Sequence, residues 1–111
     1  DDIDSIEKKI NFDRVNINGF DREIVRSGDI LEVGVEVRKS GTGSFDELRT
    51  TVMIPDLGIK QKGSLFELNN EYYQPIYVEI PWWTQPGEYP VKVIVANDHE
   101  RHTKNRYIVV R

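Results

Sequence analysis

Apolar and polar residues alternate along most of this chain, and the alternation has the period of a half-buried strand. It is cleanest at Leu31, Val33, Val35 and Val37, interleaved with Glu32, Gly34, Glu36 and Arg38. Ser27-Gly28-Asp29 starts this strand and the turn-rich run Lys39 to Ser44 ends it. An earlier run, Ile10 to Ile17, alternates but slips by one near Asp13, which predicts a β-bulge, and Asn18-Gly19 follows as a turn. Leu48, Thr50, Val52 and Ile54 predict a further strand closed by Pro55-Asp56, with Leu57-Gly58-Ile59 tucking back into the core. Lys60 to Ser64 reads as turn-like, Phe66 and Leu68 as a short returning strand, and Asn69 to Glu71 as a turn. Ile76, Val78 and Ile80 alternate with Tyr77 and Glu79, and Pro81 ends that strand. Tyr89, Val91, Val93 and Val95 follow the Pro86-Gly87 turn. Asn97 to Asn105 reads as a charged hairpin connection before a last strand, Tyr107 to Val110.

About seven short strands separated by turns predict an all-β fold, an antiparallel sandwich of two sheets. The pattern contains no helical segment long enough to serve as a crossover. Composition agrees, with 12 Ile and 12 Val against 5 Leu and 1 Ala, since β-branched side chains favour strands over helices. Length allows one domain, 111 residues in all. Residues 10–111 are assigned to the sandwich and residues 1–9 to a linker. Ile3, Ile6 and Ile10 have the spacing of one helical face, but a frayed turn suffices to explain them. The chain begins without Met and ends directly after an apolar strand, so it is expected to be a processed product or a piece of something longer.

Several chemistries are excluded outright. Without Cys there are no disulfides, thiolate metal sites or Cys nucleophiles. No apolar run approaches the ~20 residues needed to cross a bilayer as a helix, so no direct membrane insertion is expected. The formal charge is −4. Mild acidity of this kind argues against a nucleic-acid partner, which would need a basic patch.

Four stretches resemble a known family: Ser27-Gly28-Asp29-Ile30-Leu31-Glu32-Val33, Val35-Glu36-Val37-Arg38-Lys39-Ser40-Gly41, Val52-Met53-Ile54-Pro55, and Pro86-Gly87-Glu88-Tyr89-Pro90-Val91-Lys92-Val93. In this order they are similar to CARDB and NEW3-type domains of archaeal and bacterial surface proteins, S-layer-associated ones included. Lys39 stands where that pattern usually has Asn. The resemblance covers about nine-tenths of the chain and rests on strand-and-turn grammar, which specifies fold better than function. It implies an immunoglobulin-like sandwich, repeated in tandem on secreted or cell-surface proteins for spacing, assembly and adhesion. It carries no catalytic residues. Tyr89, just after Pro86-Gly87, is placed like a tyrosine-corner residue, with its hydroxyl reaching the loop backbone.

The candidate contact residues are aromatic. Trp82-Trp83 departs from the polar linker usual in the family, and two adjacent Trp in a loop are hard to bury together. One is expected to plug the end of the sandwich and the other to stay exposed. Beside Tyr72, Tyr73 or Tyr77, an exposed Trp has the chemistry to stack on a sugar ring or anchor a partner. Plain core packing is the competing explanation for all five. His99 and His102 sit three apart with Asp98 and Glu100 nearby, yet an extended hairpin would turn the two rings to opposite faces. Asp1, Asp2, Asp4 and Glu7, and separately Asp46-Glu47, lack the ligand spacing that wraps Ca²⁺. Glu32 and Glu36 share one face, but a water-facing one, so nothing there suits them to acid–base work. No cofactor, metal or catalytic residue is therefore expected.

Two functions follow as expectations. The first is a non-catalytic spacer, assembly unit or adhesion module of an extracellular or cell-surface protein, contacting neighbouring modules or other surface proteins. The second is a carbohydrate-binding accessory domain that holds polysaccharide through exposed aromatics. A third arrangement, an enzyme site shared with a neighbouring domain, would need buried carboxylates at one end of the module.

Overall fold

In a computed structural model, residues 9–17 and 24–111 are described. The Asn18-Gly19 turn, the first eight residues and the acidic candidates Asp1, Asp2, Asp4 and Glu7 lie outside them. Among the described residues eight strands follow one another: β1 Lys9–Ile17, β2 Ile24–Val25, β3 Ile30–Ser40, β4 Phe45–Ile54, β5 Ile59–Leu68, β6 Glu71–Glu79, β7 Gly87–Ala96 and β8 Arg101–Val110. They form a three-stranded sheet ordered β1-β3-β6 and a five-stranded sheet ordered β2-β8-β7-β4-β5. Pairing is antiparallel throughout, except that β2 runs parallel to β8. This is an immunoglobulin-like β-sandwich. The first strand is split, β1 pairing in one sheet and β2 in the other.

Alternation places the core. On β3, Leu31, Val33, Val35 and Val37 point inward and are fully buried. They meet Leu48, Val52 and Ile54 of β4 and Val91, Val93 and Val95 of β7 in one apolar cluster. Burial of each such side chain stabilises by ~1.5–3 kcal/mol relative to leaving it exposed. The bulge expected near Asp13 is present, since the β1–β3 register shifts between Asn11 and Arg14. The shift brings Ile10, Val15 and Ile17 all to the inner face.

Three expectations from the pattern need correction. Lys60 to Ser64 is not a turn but the first half of the ten-residue strand β5. The charged connection before the last strand is only the turn Asn97–Glu100, and β8 starts at Arg101. The two-residue β2 was not expected. The reversal between β4 and β5 is a 3-10 turn, Pro55–Leu57, ended by Gly58 at φ +67°. Leu57 and Ile59 pack against the core beside it, as the sequence indicates.

The two open sides between the sheets are closed differently. On one side the Lys104 ammonium of β8 donates to the Phe12 carbonyl of β1 at 2.8 Å and stands 5.8 Å from the Phe12 ring centroid. On the other side β5 and β6 come together. There Phe66 and Tyr72 stack with ring centroids 4.1 Å apart, and Gly63 leaves room for the Gln74 amide, which a Cβ would meet at 2.7 Å.

Tyr89 fulfils the corner expectation. Its ring packs on the core, and its hydroxyl donates to the Gln85 carbonyl at 2.7 Å. Tyr89→Phe is expected to lower unfolding free energy by about 1 kcal/mol in urea titration, the usual net worth of one hydrogen bond. Thr50 presents the reverse case, a core hydroxyl without a hydrogen-bond partner. Thr50→Val should therefore raise stability by about 1 kcal/mol, seen as a melting-temperature increase of roughly 4 °C. A lower melting temperature would mean that the hydroxyl is satisfied.

Candidate functional site

Strand directions give the sandwich two ends. One carries the β2–β3 turn, the 3-10 turn after β4 and the β6–β7 loop; the other carries the β3–β4, β5–β6 and β7–β8 turns. Of the aromatic candidates, Trp82, Trp83 and Tyr77 lie toward the first end, and Tyr72 and Tyr73 lie near the β5–β6 turn at the other. After β6, the Ile80 amide donates to the Asp29 carbonyl and the Gly28 amide to the Ile80 carbonyl, both at 2.8 Å. This pins the loop to the start of β3. The Thr84 amide then donates to the Pro81 carbonyl at 3.1 Å, closing a four-residue turn with Trp82 and Trp83 at its two corners.

Corner side chains project away from the body of a turn. Trp82 is 81% exposed and Trp83 55% exposed, so neither plugs the sandwich. The inward place in this turn belongs to Thr84, which is buried with its hydroxyl unpartnered. The three tyrosines divide by the parity of β6. Tyr72 faces inward against Phe66 and is withdrawn from any contact surface. Tyr73 and Tyr77 face outward with Pro75 between them, roughly 13 Å apart along the strand, and both are more than half exposed. Tyr73 lies over Gly34, where an added Cβ would stand 2.5 Å from its hydroxyl. The missing side chain there gives the ring a flat seat on the neighbouring strand. Trp82 and Trp83 thus stand at the end of the strand whose outer face bears Tyr73 and Tyr77.

The polar candidates lie elsewhere. Glu32 and Glu36 are on the outer face of β3, and Glu36 pairs with Arg14 at 4.0 Å. At the second end, the Asn97 side chain accepts from the His99 and Glu100 amides, both at 2.8 Å, and donates to the Asp46 carbonyl at 3.0 Å. Asn97 therefore organises the tip that the sequence offered as His-x-x-His. His99 is exposed in the turn, while His102 lies on β8, 3.1 Å from the Glu100 carboxylate. Asp46 and Glu47 line an open cleft of about 420 Å³ with residues 97–100. No three His, Asp or Glu side chains converge as a metal donor set among the described residues.

A second surface was not legible in the sequence. The outer face of the five-stranded sheet consists of cross-strand rows fixed by register. One row is Lys60, Met53, Lys92 and Asn105. The next is Lys62, Thr51, Ile94 and Thr103. A third is Leu65, Arg49, Ala96 and Arg101. These rows hold five cations and no carboxylate. The modest negative charge of the chain hid them, because four of its 19 acidic residues lie in the first eight positions.

No family model and no curated protein matches the chain. Solved structures do. The CARDB domain of a Pyrococcus furiosus protein, determined with two metal ions, superposes with a TM-score of 0.64 at 15% identity, over 95% of this chain and 88% of that one. The sporulation control protein Spo0M of Bacillus subtilis gives 0.60 at 16% identity, over 94% of this chain and 49% of that protein. A family 123 glycoside hydrolase from Clostridium perfringens gives 0.59 at 12% identity, over 80% of this chain and 22% of the enzyme. The chain therefore spans about half of Spo0M and about a fifth of the hydrolase. At these identities the likeness is one of fold, and the fold is CARDB-like.

If both indoles are in water, acrylamide should quench nearly all of the native fluorescence. Trp82→Ala should change unfolding free energy by less than about 0.5 kcal/mol, as for other surface positions. A loss above about 2 kcal/mol would mean that the ring is packed after all.

Proposed function

We propose that this chain is a non-catalytic sandwich module that serves as a spacer or assembly unit in a secreted or cell-surface protein. The observation that carries the reading is the path of the chain through the fold. It enters β1 at Lys9, beside Ser40 at the second end, and leaves β8 at Arg111, beside Val25 at the first. A module traversed from end to end extends a tandem array by its own length. Its core draws on all eight strands, on β2 through Val25 alone, so both sheets bury their apolar faces within the module. The CARDB-like fold supports the same reading, since the Pyrococcus chain that it resembles is a domain of almost equal extent.

Two copies joined from residue 111 to residue 1 should give, by small-angle X-ray scattering, a maximum dimension close to twice that of one copy. A compact pair folded side by side would contradict the spacer reading. Antibody labelling of intact cells of the source organism tests the location, and labelling only after lysis would count against it.

The exposure of both tryptophans favours a second reading, a carbohydrate-binding accessory module. A pyranose ring stacks on an exposed indole through its apolar face. Binding on a glycan array that Trp83→Ala abolishes would support it, and a blank array would return the turn to a contact between modules.

A further inference from the structure

The five cations of the large sheet have a use that the spacer reading does not supply. Lys60, Lys62, Lys92 and Arg101 are exposed, Arg49 is half-buried, and none is in an ion pair among the described residues. Arg49 also buries its Nε without a hydrogen-bond partner. Four of them line a shallow concavity of about 340 Å³. Its floor is uncharged: Thr51 and Ala96 are half-buried and Ile94 is buried. Glu47 and Asp98 stand at its lip, on the β7–β8 turn side.

We propose that this face binds a linear anionic polysaccharide, one whose sugars carry carboxylate groups. Charge complementarity selects an anion, because four cations against the two carboxylates at the lip leave the concavity net positive, and such a face attracts an anion over a distance set by the ionic strength. Spacing selects the kind of anion. Lys60 and Lys92 are separated by one strand, as are Arg49 and Arg101, hence by roughly 9–10 Å in each row. That is sparse against duplex DNA, with about one charge per 1.7 Å of axis. A flat sheet face also offers no helix or ribbon to enter a groove. Single-stranded nucleic acid would want a series of stacking rings, whereas this face carries one exposed ring, Tyr107, among the described residues, and Tyr73 and Tyr77 are on the opposite face. Between the cations, Thr51, Thr103 and Asn105 offer hydroxyl and amide groups to sugar hydroxyls, and Ile94 and Ala96 offer an apolar bed. The inference goes beyond the spacer reading and stands whether or not the Trp82–Trp83 turn holds a sugar.

Affinity electrophoresis through gels containing hyaluronan, polygalacturonate or neutral dextran, with a fluorescent DNA duplex titrated in parallel, tests it. The protein should be retarded by the two uronate polymers at about 20 mM salt and released at about 0.5 M, where charges are screened within a few ångströms. K60Q/K62Q/R101Q should weaken binding roughly tenfold at unchanged melting temperature, as expected for three exposed charge contacts. Trp83→Ala should bind as the parent does, which separates this surface from the aromatic turn. Equal retardation of the triple variant, equal retardation by dextran, tighter binding of the duplex at the same salt, or no retardation of the parent at low salt would each overturn the proposal.

Discussion

Period-two alternation ties the outside of this protein to its inside. Each strand has one buried face, so the register that sends Val33 and Val35 into the core also sends Glu32, Gly34 and Glu36 out. A slip of one residue would exchange the two sets along the whole strand. With no Cys available for a disulfide, the burial of apolar faces does most of the work of holding the layers together. The cationic rows of the large sheet and the tyrosine pair of the small one are thus each tied, through the register of their own sheet, to the core the two sheets share. Neither can shift without turning core residues outward.

The two broad faces have correspondingly different chemistry. The small sheet shows Tyr73 and Tyr77 among Glu–Arg pairs such as Arg14–Glu36 and Arg38–Glu71, where charges are largely matched. The large sheet shows cations without matching carboxylates in its rows. Sheets in a sandwich can differ in this way because their outer faces are free of packing constraints. The single-residue devices sit at the margins: Lys104 on one open side, Gly63 opposite Gln74 on the other, and Tyr89 over the loop after Trp83.

The sequence is legible wherever a strand has a layer across from it. β3, β4 and β7 are covered, and their alternation reads directly; the bulge in β1 shows as a slip in the same pattern. β5 and the first half of β8 fail this condition. β5 is the edge of a five-stranded sheet facing only three strands, so Lys60, Gln61 and Lys62 are all exposed and no period appears. Residues 101–107 of β8 lie over the open side and are polar on both faces for the same reason. Trp82 and Trp83 misled because large aromatic side chains usually fill cores; their fate was decided by the turn geometry, which gave the inward place to Thr84. The cationic face was invisible because its members come from four strands, and only register brings them into rows.

The split first strand and the last residue have a mechanical meaning. Arg111 donates its amide to the Val25 carbonyl, extending the parallel β2–β8 pair to the point where the chain leaves the fold. Tension drawn between Lys9 and Arg111 runs along β1 and β8, while the ladder bonds of both strands lie crosswise to it. Such a load shears many bonds at once instead of unzipping them singly. A sandwich threaded in this way resists stretching along its long axis and yields far more readily to a pull across it.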